Sequence, residues 1–179
     1  MRKLKNEELN RLTIDQYQAS EKNPVIVVLD NVRSLNNIGS VFRTSDGFRI
    51  EKVILCGIST PPPHRDIHKT ALGAEKSVPW EYFPETLDAL NSLRNEGYYI
   101  ASVEQAENST SLENFEAPTD QPLALIFGHE VKGIQQKIVS NSDCCFEIPQ
   151  YGTKHSFNIS VSVGIVLWEL SGRSSKTKS

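Results

Sequence analysis

The hydrophobic positions along the chain fall into short continuous runs that are typical of buried strands. The clearest runs are Val25–Leu29, Lys52–Cys56, Tyr98–Val103, Leu123–Phe127 and Cys144–Ile148. Segments with a helical spacing of apolar residues lie between these runs and after the last one. Continuous apolar strands that alternate with helices predict a mostly parallel sheet with helices on both faces, which is an α/β fold.

The helical segments are defined by apolar residues that recur at intervals of three or four positions. They are expected at about Asn37–Gly47, Thr86–Glu96, Gln135–Val139 and Asn158–Ser171. In the second of these, three leucines share one face and Gly97 ends the pattern. The last segment places its isoleucine, valines and leucines on one side, which predicts a helix packed against the sheet.

The two ends of the chain differ in character from its middle. Residues 1–23 are rich in charge and indicate a short helical appendage, while residues 172–179 indicate a polar tail. Residues 24–171 contain every predicted strand, and we expect them to form one domain. The first residues lack the apolar run of a secretory signal, and the longest apolar run, around Ile159–Leu170, is broken by serine and glycine. We therefore expect no attachment to a membrane.

Charge and cysteine content narrow the class of function. Because the formal net charge is −3, the chain is not expected to coat nucleic acid by charge alone, and a role on RNA must depend on a specific site. The cysteines are the adjacent pair Cys144 and Cys145 and the distant Cys56. This arrangement is neither a disulfide framework nor a zinc pattern, and it indicates the reducing cytoplasm.

Three polar or glycine-containing segments follow predicted strands. They are Asp30–Asp46, Phe127–Gly133 and Ile148–Asn158. Ligands of open parallel sheets bind beyond the carboxyl ends of the strands, so these segments are the candidate site. None of them contains a glycine-rich dinucleotide or phosphate loop. His64 and His68 have a spacing that can bind metal on a helix, but prolines precede them and no third ligand is evident.

Each residue of these segments, taken alone, also has a purely structural explanation. Asn37 could cap the helix that follows it, and Ser156 and Asn158 could cap the last helix. Gly128 could mark a turn between a strand and a helix. Arg43 could be a solvated charge, although it lies among apolar residues near the carboxyl end of a predicted strand.

Taken together, the three segments resemble, in order and spacing, the motifs of the SpoU family of RNA ribose methyltransferases in the SPOUT superfamily. The first motif is an asparagine followed six residues later by an arginine, here Asn37 and Arg43. The second is a strand that ends in G-x-E-x-x-G, here Gly128, Glu130 and Gly133. The residues that match the third motif are Ile148, Pro149, Ser156, Phe157 and Asn158.

The resemblance implies a fold and a cofactor that patterning alone could not suggest. It implies a deep trefoil knot in the C-terminal third of the chain, a rare exception among folds. It also implies that S-adenosylmethionine binds bent within the knot, held mainly by backbone groups. The positions that match the family's cofactor site are Val103, Gly128, Ile148, Ser156 and Phe157. The resemblance further implies a homodimer whose active site draws on both subunits.

The reaction that the resemblance implies is methyl transfer to a ribose 2'-hydroxyl of tRNA or rRNA, rather than of DNA. The family's pattern assigns Arg43 to the 2'-hydroxyl, as base or activator. Because a guanidinium is effectively always protonated, stabilising the 2'-oxyanion and gripping the adjacent phosphate are easier roles to explain. The residues expected to position Arg43, the nucleotide and the methionine portion are Asn37, Glu130, Ser156 and Asn158. No metal is implied.

Other functions fit parts of this pattern. They are a catalytically silent RNA-binding module of the same fold, a SPOUT enzyme that methylates a base nitrogen, and a nucleotide-binding hydrolase. The combined presence of Arg43, Glu130, Ser156 and Asn158 weighs against the first. Asn37 with Arg43 resembles the ribose-modifying branch, and the third lacks a phosphate loop. We expect no added RNA-binding domain of the kind found in larger relatives. The basic residues near the N-terminus fit an RNA-contacting patch and a solvated helix face equally well.

Overall fold

The described part of the chain contains one seven-stranded sheet in which every strand pairing is parallel. The computed structural model describes the backbone of residues 1–176 and the side chains of residues 1–171 other than Asn6. The order across the sheet is β3-β2-β1-β6-β4-β7-β5. The strands are β1 (Asn23–Asp30), β2 (Ile50–Cys56), β3 (Trp80–Phe83), β4 (Tyr99–Val103), β5 (Thr110–Ser111), β6 (Leu123–Gly128) and β7 (Cys144–Glu147).

Helices and two short 3-10 turns connect the strands. The turns lie at Asn6–Leu9 and Leu112–Asn114. No helix among the described residues is both long and apolar enough to cross a membrane. The helices are α1 (Ile14–Ala19), α2 (Leu35–Gly47), α3 (Arg65–Ala71), α4 (Ala74–Ser77), α5 (Thr86–Asn95), α6 (Gln136–Val139) and α7 (Ile159–Lys176).

Two apolar cores fill the two faces of the sheet. Alternate residues of a strand point to opposite faces, so Val27 and Leu29 of β1 pack in one core with residues of α2 and α7. Ile26 and Val28 pack in the other core with residues of α5 and α6. Because both faces are covered, the central strands need apolar residues at every position. The predicted parallel α/β sheet with helices on both faces is confirmed.

Some elements lie where the sequence predicted none. Strands β3 and β5 form the two edges of the sheet. Trp80, Glu81 and Tyr82 of β3 are exposed, and β5 has only two residues, so neither has the continuous apolar run of a central strand. Helices α3 and α4 fill the interval between β2 and β3 and pack beside α2.

The two ends of the chain depart from the sequence expectation in detail. The appendage contains α1, whose Tyr17 is buried in the same core as Val27. Thr13 caps α1 by accepting the backbone N–H of Gln16, and the Gln16 side chain accepts the N–H of Thr13 in return. At the other end, α7 continues to Lys176, so the predicted polar tail begins inside a helix, and residues 177–179 lie outside the described part of the chain.

Candidate active site

A cavity of about 500 Å³ opens beyond the carboxyl ends of three adjacent strands, β6, β4 and β7. Its walls come from Val103–Gln105 at the end of β4, from Gly128–Gly133 and from residues of the β7–α7 loop, which we define as Ile148–Asn158. We define the β6 loop as Gly128–Gln135, so its last two residues do not line the cavity. The cavity therefore lies where the parallel sheet predicts a ligand. The structure brings all the predicted cofactor positions to its lining, namely Val103, Gly128, Ile148, Ser156 and Phe157.

The β6 loop is narrow because its backbone turns back on itself. His129 and Gly133 exchange backbone hydrogen bonds of 3.1 and 2.8 Å, and Nδ1 of His129 accepts the N–H of Val131 at 3.0 Å. Gly133 has a φ of +67°, which favours glycine. A Cβ on Gly128 would lie 2.2 Å from the backbone nitrogen of Ile134. Gly128 is therefore required by the close approach of its own loop, a constraint that the sequence did not reveal.

Three polar side chains from distant parts of the chain form a hydrogen-bonded network at the rim of the cavity. The Asn37 side chain donates from Nδ2 to Oε1 of Glu130 at 3.1 Å. Its Oδ1 accepts from Nδ2 of Asn158, also at 3.1 Å. One residue from each predicted motif therefore contributes to this network, which links the starts of α2 and α7 to the β6 loop.

Asn37 does not cap α2, which corrects the structural alternative considered for it. The N-cap is Ser34, whose hydroxyl accepts the backbone N–H of Asn37 at 3.3 Å. Asn37 lies in the first turn, and its side chain is free to bridge Glu130 and Asn158. For Asn158 the capping explanation does hold, since its Oδ1 accepts the backbone N–H of Ser160 at 2.9 Å at the start of α7. The same side chain caps a helix and supports Asn37.

Glu130 is held as an anion by the groups around it. Its carboxylate accepts the backbone N–H groups of Ser34 at 2.8 Å and Arg33 at 3.1 Å, next to the N-terminus of α2. Burial raises the pKa of Glu130, but hydrogen bonds from its own backbone, from these N–H groups and from Asn37 outweigh burial and hold the pKa below its ordinary value. An anion that is already satisfied in this way anchors a loop and is a poor proton acceptor.

The structure does not bring Arg43 together with the other predicted site residues in one chain. Arg43 is exposed on α2, does not line the cavity, and forms no hydrogen bond or ion pair with the part of the chain that the structure describes. A six-residue spacing turns it about 240° around the helix from Asn37. Ser156 lines the cavity and likewise has no hydrogen bond to a described residue. Both side chains are available for a ligand.

The histidines considered for a metal site, and the Cys145 thiol, have structural surroundings among the described residues. The described residues contain no group of three or more side chains that could hold a metal ion. His64 caps α3 by accepting the N–H of Asp66, and His68 pairs with Glu75 at 2.6 Å. Burial raises the pKa of Cys145 to about 11, so its thiolate is scarce at neutral pH.

The comparison with known families agrees with the arrangement of these motifs. Residues 24–168 match the sequence profile of the SpoU rRNA methylase family. The chain belongs to this family. One protein similar to this chain comes from Staphylococcus haemolyticus and is named as a TrmH family tRNA/rRNA methyltransferase. It is 28% identical over 160 residues, which cover 87% of this chain and 63% of the relative. The SpoU chain thus spans less than two thirds of that relative's length.

Solved structures share the fold of this SpoU protein. The A. aeolicus TrmH/SpoU tRNA modifying enzyme superposes with a TM-score of 0.80 at 23% identity, covering 92% of this chain and 82% of its own. An AdoMet-bound rRNA methyltransferase from Sinorhizobium meliloti gives a TM-score of 0.79 at 25% identity, with coverages of 86% and 57%. An RNA 2'-O ribose methyltransferase gives 0.72 at 20% identity, with coverages of 86% and 58%.

Proposed function

We propose that this SpoU family protein transfers a methyl group from S-adenosylmethionine to a ribose 2'-hydroxyl of tRNA or rRNA. The observation that carries the proposal is the position of the Asn37–Glu130–Asn158 network at the rim of a cavity beyond β6, β4 and β7. The similar structure from S. meliloti is named as AdoMet-bound, and another similar structure is named as a 2'-O ribose methyltransferase.

The cavity suits a ligand with apolar, polar and cationic parts. Its volume of about 500 Å³ lies within the range of roughly 300 to 1,000 Å³ that is usual for small-molecule sites. Phe157 and Ile148 offer apolar contacts, Ser156 offers a hydroxyl, and the carboxylates of Glu104 and Glu130 lie along the wall. When bound there, S-adenosylmethionine supplies a methyl group on a sulfonium centre. Carboxylates favour such positive charge.

The residues of this chain would act on the ribose side by orientation and by charge. Arg43 is permanently cationic, and its fork of donors can stabilise the 2'-oxygen as it loses its proton and can hold an adjacent phosphate. The side-chain amide of Asn37 is hydrogen-bonded to Glu130 and Asn158. Asn37 therefore positions the start of α2 and takes no direct part in the reaction. Ser156 keeps a free hydroxyl beside the cavity, where it can orient the nucleotide or the cofactor.

We also propose a homodimer in which Arg43 of one subunit completes the site of the other. This follows from the separation of Arg43 from the cavity within one chain. A contiguous exposed apolar patch supports it: Tyr151 of the β7–α7 loop and Val161 and Trp168 of α7 are 90%, 49% and 73% exposed. Together with Ile165 they line an apolar groove of about 570 Å³. Exposed patches of this kind mark interaction surfaces.

We further propose that residues 24–171 form one domain with a C-terminal trefoil knot. We also propose that the protein works in the cytoplasm. The β7–α7 loop passes beside the segment after β4, where Nε2 of Gln105 donates to the carbonyl of His155 at 3.0 Å. The chain then crosses to α2, against which α7 packs. This path supports a chain that threads through its own loop. The free thiols of Cys56, Cys144 and Cys145 are consistent with a reducing compartment.

The proposed function predicts a ribose methyl group that depends on this gene. Total tRNA and rRNA from cells with and without the gene would be mapped for 2'-O-methyl positions. We expect at least one position to be lost without the gene, to return with the wild-type gene, and to stay lost with Asn158→Ala. Identical maps with and without the gene, or loss of a base methylation instead, would contradict the proposal.

A further inference from the structure

Asp30 at the end of β1 is a fully buried carboxylate that the proposed methyl transfer does not use. Its partners are neutral donors. Oδ1 accepts from the Thr86 hydroxyl at 2.6 Å, from Nε2 of Gln135 at 2.8 Å and from Nδ2 of Asn31 at 2.9 Å. Oδ2 accepts the backbone N–H of Gln135 at 2.9 Å. A buried charge is costly unless it is satisfied in this way, so the position has a specific task.

Two of the four hydrogen bonds of Asp30 come from Gln135, the last residue of the β6 loop. The residue before it is held from the other side, because Oε2 of Glu104 accepts the N–H of Ile134 at 2.8 Å. In the sheet, β6 lies between β1 and β4. The loop that follows β6 is therefore held at its far end by a carboxylate at the end of β1 and by one directly after β4.

The far end of the loop cannot shift without moving the cavity wall. Gly128 and Ile134 approach so closely that a single added carbon would lie 2.2 Å from the Ile134 nitrogen. Between them, His129, Glu130 and Gly133 line the cavity. A displacement of Gln135 would therefore be passed to the residues that face the ligand and, through Glu130, to Asn37.

We propose that Asp30 is a positioning residue that sets the shape of the cofactor cavity by fixing Gln135 at the far end of the β6 loop. It never touches the ligand. The proposal rests on the proposed function in taking S-adenosylmethionine as the occupant of the cavity.

Asp30→Asn removes the contact to the Gln135 backbone and keeps the contact to the Gln135 side chain. All the groups around Asp30 are donors, so the amide oxygen of asparagine takes the place of Oδ1, which serves three of them. Its NH₂ then faces the N–H of Gln135, and two donors cannot bond. The matched control is Thr86→Val, which removes another donor to Asp30 and leaves the loop contact intact.

The experiment measures the dissociation constant for S-adenosylmethionine by calorimetry, amide hydrogen exchange at Gln135, and unfolding by urea. We expect Asp30→Asn to weaken cofactor binding about tenfold and to speed exchange at Gln135. Thr86→Val should bind within about twofold of wild type, even if both variants lose similar stability. Wild-type affinity in Asp30→Asn, or equal weakening in both variants, would overturn the proposal.

A second variant tests the same hydrogen bond from the loop side. Gln135 has a φ of −58°, which proline adopts, so Gln135→Pro removes the N–H, together with the side-chain donor Nε2, without forcing a new φ. It should weaken cofactor binding as Asp30→Asn does, and wild-type affinity would count against the proposal. If neither variant folds, Asp30 serves the fold rather than the cavity, and the proposal is wrong. If the wild-type protein does not bind S-adenosylmethionine, the proposed function is contradicted instead. Amide exchange at Gln135 then still reports whether Asp30 holds the backbone of Gln135.

Discussion

At the scale of single residues, the candidate site divides into side chains that are already engaged and side chains that are not. The engaged side chains are hydrogen-bonded mainly to one another and to backbone groups at the starts of α2 and α7. They are those of Asn37, Glu130 and Asn158. Arg43 and Ser156 have no hydrogen bond to a described residue. The engaged group therefore gives the site its shape, and the other two are the side chains that we propose to contact RNA and cofactor.

Arg43→Ala and Arg43→Lys should both lower the rate of methyl transfer about a hundredfold, since loss of one preorganised donor to a developing oxyanion costs on the order of 3 kcal/mol. Lysine keeps the charge but lacks the planar fork of donors. Because Arg43 is exposed, the free energy of unfolding should change by no more than about 0.5 kcal/mol. Single-turnover methylation and urea unfolding measure the two quantities.

The matched control for Arg43 is Arg94→Lys, at the C-terminal end of α5 beside the start of β4. Arg94 is an exposed arginine at the opposite end of the sheet, where its guanidinium bonds the carbonyl of Asn141. Its replacement should leave the methylation rate unchanged. A rate near that of wild type in folded Arg43→Lys would show that Arg43 is a solvated charge.

Glu130 predicts the pH dependence of stability. Its pKa in the folded protein lies below the ordinary value of 4.5. A depressed acid pKa adds stability above the unfolded pKa, and this stability is lost as the pH falls through the folded pKa. Glu130→Gln should therefore be less stable than wild type at neutral pH, and the difference should shrink in acid. Urea unfolding over the acid range measures this, and a constant difference at every pH would contradict it.

At the scale of elements, the sequence predicted the strands that follow from apolar patterning. It missed an edge strand and a helix cap, which depend on neighbours that the pattern does not show. Strands β1, β2, β4, β6 and β7 were predicted because each contains a continuous run of mainly apolar residues. Edge strand β3 was missed because its side chains face solvent. The motif residues were predicted by their resemblance to a family, but the cap at Ser34 was not, since serine and asparagine are both common at that position.

The β6 loop provides a test with a matched pair of glycines. Gly128→Ala should weaken S-adenosylmethionine binding and lower stability, because its Cβ would meet the backbone of Gly133 and Ile134. Gly152→Ala, in the β7–α7 loop, should change neither, since an added Cβ there has no atom within 4 Å. Calorimetry and urea unfolding measure both variants. Equal behaviour of the two would show that the close approach in the β6 loop does not matter.

At the scale of the whole molecule, the site joins positions that are far apart along the chain. The side chain of Asn37 meets that of Asn158, and Asp30 meets Gln135. Periodicity reports which face of an element is buried, and it does not report which residue from elsewhere will face it. The sequence could therefore place Asp30, Asn37 and Asn158 near one edge of the sheet, while their partners became evident only in the structure.

The proposed dimer makes a prediction at this scale. Trp168→Glu, in the middle of the exposed patch on α7, should convert a dimer into a monomer and lower methylation, because it places a charge in an apolar contact. Ile58→Glu is the control, since Ile58 is an exposed apolar residue that does not line the groove. Sedimentation measures the mass of each. A wild-type monomer, or a dimer that survives Trp168→Glu, would contradict this interface.

The most direct test of the central claim is the fate of a labelled methyl group. Purified protein would be incubated with methyl-labelled S-adenosylmethionine and unmodified tRNA or rRNA, and the RNA would be digested to nucleosides for mass spectrometry. We expect label on the ribose of a 2'-O-methylated nucleoside with wild type, and its near absence with Arg43→Lys. Label on a base, or no label from folded protein that binds the cofactor and the RNA, would contradict it.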